Sequence, residues 1–145
     1  MAKAWVDPTG SHRRLLALGV ERWSHDHLAD ALGLYNGGKV RQILTQRSRI
    51  TYGTAQAVAR VYVRLEGTQG PAHWRTTRTA LEHGGRPPAA WEGVDMDDPT
   101  AVPHEIDLTP WSTFQYGKAS YQRQDRAQAR HRAFLDRLTE HQEAS

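Results

Sequence analysis

Four short apolar stripes at three- and four-residue spacing fill the first 66 residues, each separated from the next by a glycine or a capping side chain. Such stripes are the buried faces of short helices, and connections of a few residues predict a small helical bundle. In the first, Gly10-Ser11 opens the helix with Ser11 as its cap, Leu15, Leu16 and Leu18 point inward, and Gly19 follows. Ser24 caps the second, where Trp23 and Leu28 have the spacing of a hydrophobic staple and Leu28, Ala29 and Leu32 form the inner face. Gly33 stands where a left-handed residue ends that helix. The third starts near Asn36, with Val40, Ile43 and Leu44 inside. Thr51 caps the fourth, with Ala55, Val58, Tyr62 and Leu65 on its inner side.

Gly70-Pro71 restarts the chain, Pro being suited to a first helical position, and a fifth helix runs to about His83 with Trp74 and Leu81 on one side. Gly84-Gly85 and Pro87-Pro88 stop it. Residues 87–117 show no sustained period and are read as an extended arm docked through Trp91 and Trp111. Residues 118–145 read as a long polar helix over Lys118–Glu143 with Ala127, Phe134 and Leu138 near one face. The expected class is therefore all-α, without strands: a bundle over 10–86, an acidic Pro-rich arm over 87–117 and a C-terminal helix over 118–145.

With 145 residues and no cysteine, disulfides, thiolate catalysis and sulfur-ligated zinc are excluded. No run approaches the ~18 apolar residues of a membrane span. The opening Met1–Asp7 lacks the apolar run of a secretory signal, so a cytoplasmic protein is expected. His25 and His27 are two apart on a helix and face different ways, which argues against a metal pair. Asp95, Asp97 and Asp98 lack the companions of a nuclease site, and no Gly-rich phosphate loop or nucleophile–base pair is present. No catalytic residue, cofactor, metal or small-molecule substrate is expected.

Charge is segregated. Residues 1–86 hold 13 Lys/Arg against 6 Asp/Glu, whereas 87–117 hold 6 acids and no base. A basic body suggests a polyanionic partner. The second and third helices, joined by a tight turn at Gly33-Leu34, have the layout of a helix-turn-helix, whose second helix enters the DNA major groove. Opposite Val40 and Ile43, the third helix carries Gly38, Arg41, Gln42 and Thr45, flanked by Lys39 and Gln46. Arg and Lys donate to guanine and Gln pairs with adenine, so Asn36, Gly38, Lys39, Arg41, Gln42 and Thr45 are the candidate base contacts. Gly37 and Gly38 would let backbone approach a phosphate. Ser24, His25, Arg47 and Arg49 are the candidate phosphate contacts.

Residues from about Arg13 to Pro99 resemble small actinobacterial and actinophage DNA-binding proteins with a lambda-repressor-like helix-turn-helix. The likeness runs through Arg13-Arg14-Leu15, Ala17-Leu18-Gly19, Trp23-Ser24, Leu28-Ala29 and Leu32-Gly33, then Arg49-Ile50-Thr51, Thr54–Val58 and Tyr62–Leu65. It ends with Thr68–Pro71, Pro87–Trp91 and Asp97-Asp98-Pro99. The stretch Leu34–Lys39 is one residue longer than the family's, and nothing after Pro103 is matched. The resemblance implies a transcriptional regulator of repressor type, from phage or host, bound to double-stranded DNA and so nucleoid-associated when bound.

Such a regulator is expected to act as a homodimer, with the contact through 118–143. The acidic arm could lie over the basic surface when DNA is absent. The alternative reading is a protein-interaction adaptor that uses the bundle as scaffold, or a DNA-binding accessory factor in phage recombination or packaging.

Overall fold

The computed structural model describes residues 4–46, 48–112 and 137. In chain order these form β1 (Trp5–Val6), α1 (Thr9–Val20), α2 (His25–Leu32), α3 (Gly37–Thr45), β2 (Ile50–Thr51), α4 (Tyr52–Leu65), α5 (Trp74–Glu82), a 3-10 turn (Pro88–Trp91) and α6 (Thr109–Ser112). The class is all-α, a small helical bundle. The proposed C-terminal dimer helix and Arg47 lie outside the described residues, apart from Arg137.

α1 is the hub. It packs against α4 and α5, while α2 packs against α3 and α4. Leu15, Leu18, Leu28, Val40, Ile50 and Val58 are fully buried where these helices meet. Caps set most of the boundaries. Ser24 Oγ accepts the His27 N–H, Thr51 Oγ1 accepts the Thr54 N–H, and Gly33 ends α2 at φ 72°.

Four expectations need correction. Ser11 does not cap α1: the helix begins three residues earlier than that cap would set it, after Pro8, and Asp7 Oδ1 accepts the Thr9 N–H at 2.8 Å. Ser11 is instead buried in a first turn so closely covered that a Cβ on Gly10 would overlap the Asp97 carboxylate. Strands do occur: β1 and β2 pair antiparallel, Trp5 with Thr51 and Val6 with Ile50, a contact of two residues too short to leave a period in sequence. α5 begins at Trp74 rather than Pro71, because Gly70 N–H and Ala72 N–H are tied to the Glu21 and Arg22 carbonyls and His73 Nδ1 caps the helix. The arm is not simply extended, since it forms the 3-10 turn and α6.

The described part of the acidic arm, 87–112, meets the basic 1–86 body at Arg13 and Arg14 of α1. It runs along α1, with Trp91 and Met96 in the main core. The Arg13 guanidinium stacks on the Trp91 ring at 4.8 Å and donates to the carbonyls of Met96, Asp98, Pro99 and Ala101. Arg14 pairs with both Asp97 oxygens at 2.7 and 2.9 Å, which holds the Asp97 carboxyl below its ordinary pKa. Asp95 and Asp98 accept local N–H groups and shape the turn. The arm thus uses its backbone carbonyls and one carboxylate, not its net charge.

Glu21, at the end of α1, accepts the Gly67 N–H and is largely buried beside Glu66. Burial raises its pKa from 4.5 to about 8, with repulsion from Glu66 adding to the shift; burial also raises Glu66 to about 7. The unfolded chain releases these protons near the ordinary carboxylate value, so from there to about pH 8 the folded state binds more protons. Their contribution to stability is full below pH 4.5 and is lost as the pH rises through about 8. Glu21→Gln removes the larger part of this loss. Thermal melts are expected to show the variant gaining on the wild type as pH rises from 5 to 8; a constant difference would refute the assignment.

Candidate nucleic-acid interface

The α2–turn–α3 pair is joined by Gly33–Asn36, and its geometry depends on a close approach of backbone to side chain. Asp26 Oδ1, in the first turn of α2, accepts the Gly37 N–H that opens α3, at 3.1 Å. A Cβ at Gly37 would stand 2.5 Å from that oxygen and 3.0 Å from both the Asp26 nitrogen and the His25 Cβ. Gly37 is therefore buried against α2. Asn36 precedes the helix with extended backbone and makes no side-chain cap, since Asp26 takes that role. At the other end of α3, His12 Nε2 donates to the Ile43 carbonyl at 2.7 Å. The helix is pinned at both ends from neighbouring helices.

Pinning leaves one face free. Val40 and Ile43 are buried, whereas Asn36, Gly38, Lys39, Arg41, Gln42 and Thr45 are all exposed, so the six candidate base contacts share one accessible surface. At about 100° per residue, Gly38, Gln42 and Thr45 project most directly outward, and Arg41 lies only about 40° round from Gly37, toward α2. Thr45 Oγ1 donates back to the Gln42 carbonyl. No salt bridge among the described residues engages Lys39, Arg41 or Arg49.

The candidate phosphate contacts divide. Ser24 and His25 stand at the start of α2, beside α3. The Ser24 hydroxyl is engaged with His27 through both the backbone N–H and the ring nitrogen Nδ1. His25 is half-buried, and its pKa lies below the ordinary 6.5, chiefly through burial, then through Arg41. Asp26 opposes this shift and His83 adds to it. Arg49 lies beyond the C-terminal end of α3, exposed, with its guanidinium 4.9 Å above the Trp5 ring.

Several of these groups were not foreseen. Asp26 caps a helix that begins eleven residues away, and His83, at the end of α5, adds to the lowering of the His25 pKa. Both depend on tertiary approach and leave no local signal. Trp5 is half-exposed under Arg49. Tyr35, in the turn itself, is 91 % exposed; an aromatic two residues after the turn glycine was the available signal. Among the described residues no group of His, Asp and Glu is arranged to hold a metal ion, and no helix is long and apolar enough to cross a membrane. No protein-family model, curated protein or solved structure matches the chain.

The two adjacent glycines should respond oppositely to alanine. Gly37→Ala must push α3 away from α2 and is expected to cost about 1–3 kcal/mol, as overpacking of a tight contact does. At Gly38 the added Cβ meets only the exposed Asn36 side chain, and Ala favours the helix by up to ~1 kcal/mol. Chemical denaturation of both variants checks this; equal effects would show that the Asp26–Gly37 contact does not govern the joint.

Proposed function

We propose that this chain is a sequence-specific, double-stranded DNA-binding transcriptional regulator that reads the major groove with α3. The observation that carries the reading is the outer face of α3: Lys39, Arg41, Gln42 and Thr45 exposed together, with no carboxylate paired to them among the described residues, on a helix pinned at both ends. A helix-turn-helix requires a second helix that is rigid on the protein side and polar on the groove side. Gln42 and Thr45 are placed to meet base edges, with Gln able to pair with adenine N6 and N7 and Lys39 able to donate to guanine. Arg49, held on Trp5, and the start of α2 flank the helix and serve the phosphates on either side. One such unit covers only a few base pairs, so two copies over two half-sites, joined through 118–143, complete the proposed regulator.

Selection of bound sequences from a random duplex pool, followed by affinity measurements across salt, tests the reading. Gln42→Ala is expected to cost about 1–3 kcal/mol on the selected site and to relax preference at one or two positions. Arg49→Ala should weaken all sequences alike and reduce the magnitude of the log K–log salt slope by roughly 1, and Trp5→Ala should act in the same uniform way. Recovery of no preferred sequence, with no salt-dependent binding to duplex, would refute the function.

A further inference from the structure

A recognition helix reads base edges chiefly with its N-terminal residues. In α3 the first two bring no side chain to that task, because Gly37 is buried against α2 and Gly38 has none. The Asn36 side chain lies over the gap, its Oδ1 3.0 Å from the place that a Cβ on Gly38 would take. Asn36 and Lys39, both exposed, supply polar groups at this end of the helix. The large apolar group there is the ring that precedes them, Tyr35, 91 % exposed in the turn.

The backbone under that ring is fixed on both sides. Leu34 packs against the core, and its N–H donates to the Ala29 carbonyl at 2.8 Å. Two residues beyond Tyr35, the Gly37 N–H is held by Asp26. Other exposed aromatic rings have polar company: Trp5 carries the Arg49 guanidinium, and the Tyr52 hydroxyl accepts from Gln56 Nε2 at 2.7 Å. Tyr35 has no ring or cation contact of this kind among the described residues. A tyrosine orders only two side-chain torsions, so a ring presented from fixed backbone loses little freedom on binding.

We propose that the Tyr35 ring reads a pyrimidine C5-methyl group in the major groove, beside the base edges met by Asn36 and Lys39. This inference rests on the DNA-binding reading above. The C5-methyl is the apolar mark of the major-groove edge, and proteins recognise it by apolar contact. Thymine carries it, unmodified cytosine does not, and 5-methylcytosine presents the same group. Covering one methyl group with the ring corresponds to a roughly fourfold gain in affinity.

The probe is the duplex selected from the random pool, exchanged one position at a time, uracil for thymine and 5-methylcytosine for cytosine. Anisotropy titrations at fixed salt are expected to show the wild type favouring the methylated base roughly fourfold at one position. The exchange that shows it identifies the base. Tyr35→Ala should abolish the difference, and Tyr35→Phe should keep it, since the ring alone makes the contact. Chemical denaturation should find both variants as stable as the wild type, because the side chain is exposed. Indifference of the wild type to every exchange overturns the inference, as does a difference that persists undiminished in Tyr35→Ala. Uniform weakening of every duplex by Tyr35→Phe also overturns it, being the mark of a hydroxyl on phosphate. In each of these cases a preferred sequence and the loss in Gln42→Ala leave the DNA reading standing. With no preferred duplex at all, both fall.

Discussion

The arrangement of the α3 face depends on one contact, the hydrogen bond from the Gly37 amide to Asp26 with no Cβ between them. The first amides of any helix lack intrahelical partners, and here a carboxylate from the preceding helix satisfies one of them. The capping group belongs to another element, so the bond does two things at once. It starts α3 and fixes where α3 starts relative to α2. The His12–Ile43 bond does the same at the far end, and because a carbonyl only accepts, Nε2 must carry the proton. Two polar bonds from two helices, with Val40 and Ile43 buried between them, leave α3 little freedom to roll.

The charge segregation has a different meaning from the one it suggests in sequence. An arm with 6 acidic residues and no basic ones invites the idea of a counter-charge laid over a basic surface. Its attachment to α1 is mostly of another kind, with Arg13 taking four backbone carbonyls and the Trp91 face while Arg14 takes Asp97 alone. Guanidinium offers five donors in a fixed fork, which suits a loop that presents carbonyls in series. Among the described residues no hydrogen bond or ion pair joins the arm to Lys39 or Arg41.

What was legible in the chain was local. Ser24 and Thr51 cap where their side chains indicate, Gly33 takes the left-handed turn, and Val40 and Ile43 face the core, because each depends only on residues within a turn or two. Ser11 misled for the same reason: a good capping residue was read without the arm that covers it, and Asp7 supplied the oxygen instead. The β1–β2 pair, the Arg13 clasp and the Asp26 cap all join residues distant in sequence. No spacing rule reaches them. The outward set on α3 was readable because helical period alone separates it from Val40 and Ile43, whereas the role of Gly37 was not, since permissiveness toward a phosphate and toward Asp26 look alike in sequence.

This division bears on how such a face can change. Gly37, Val40 and Ile43 are held by contacts to α2 and the core, so substitution there moves the whole helix. Gly38, Lys39, Gln42 and Thr45 contribute little to holding α3 in place, apart from the bond Thr45 makes within its own helix. Surface substitutions free of such contacts usually alter stability by only about 0.5 kcal/mol. The outer ridge can therefore vary with little consequence for the joint beneath it. Arg41 falls between the two groups: it is exposed like the ridge, yet it stands one helical turn from Gly37 and its charge helps lower the His25 pKa. A change there alters both the exposed surface and the charge around the start of α2.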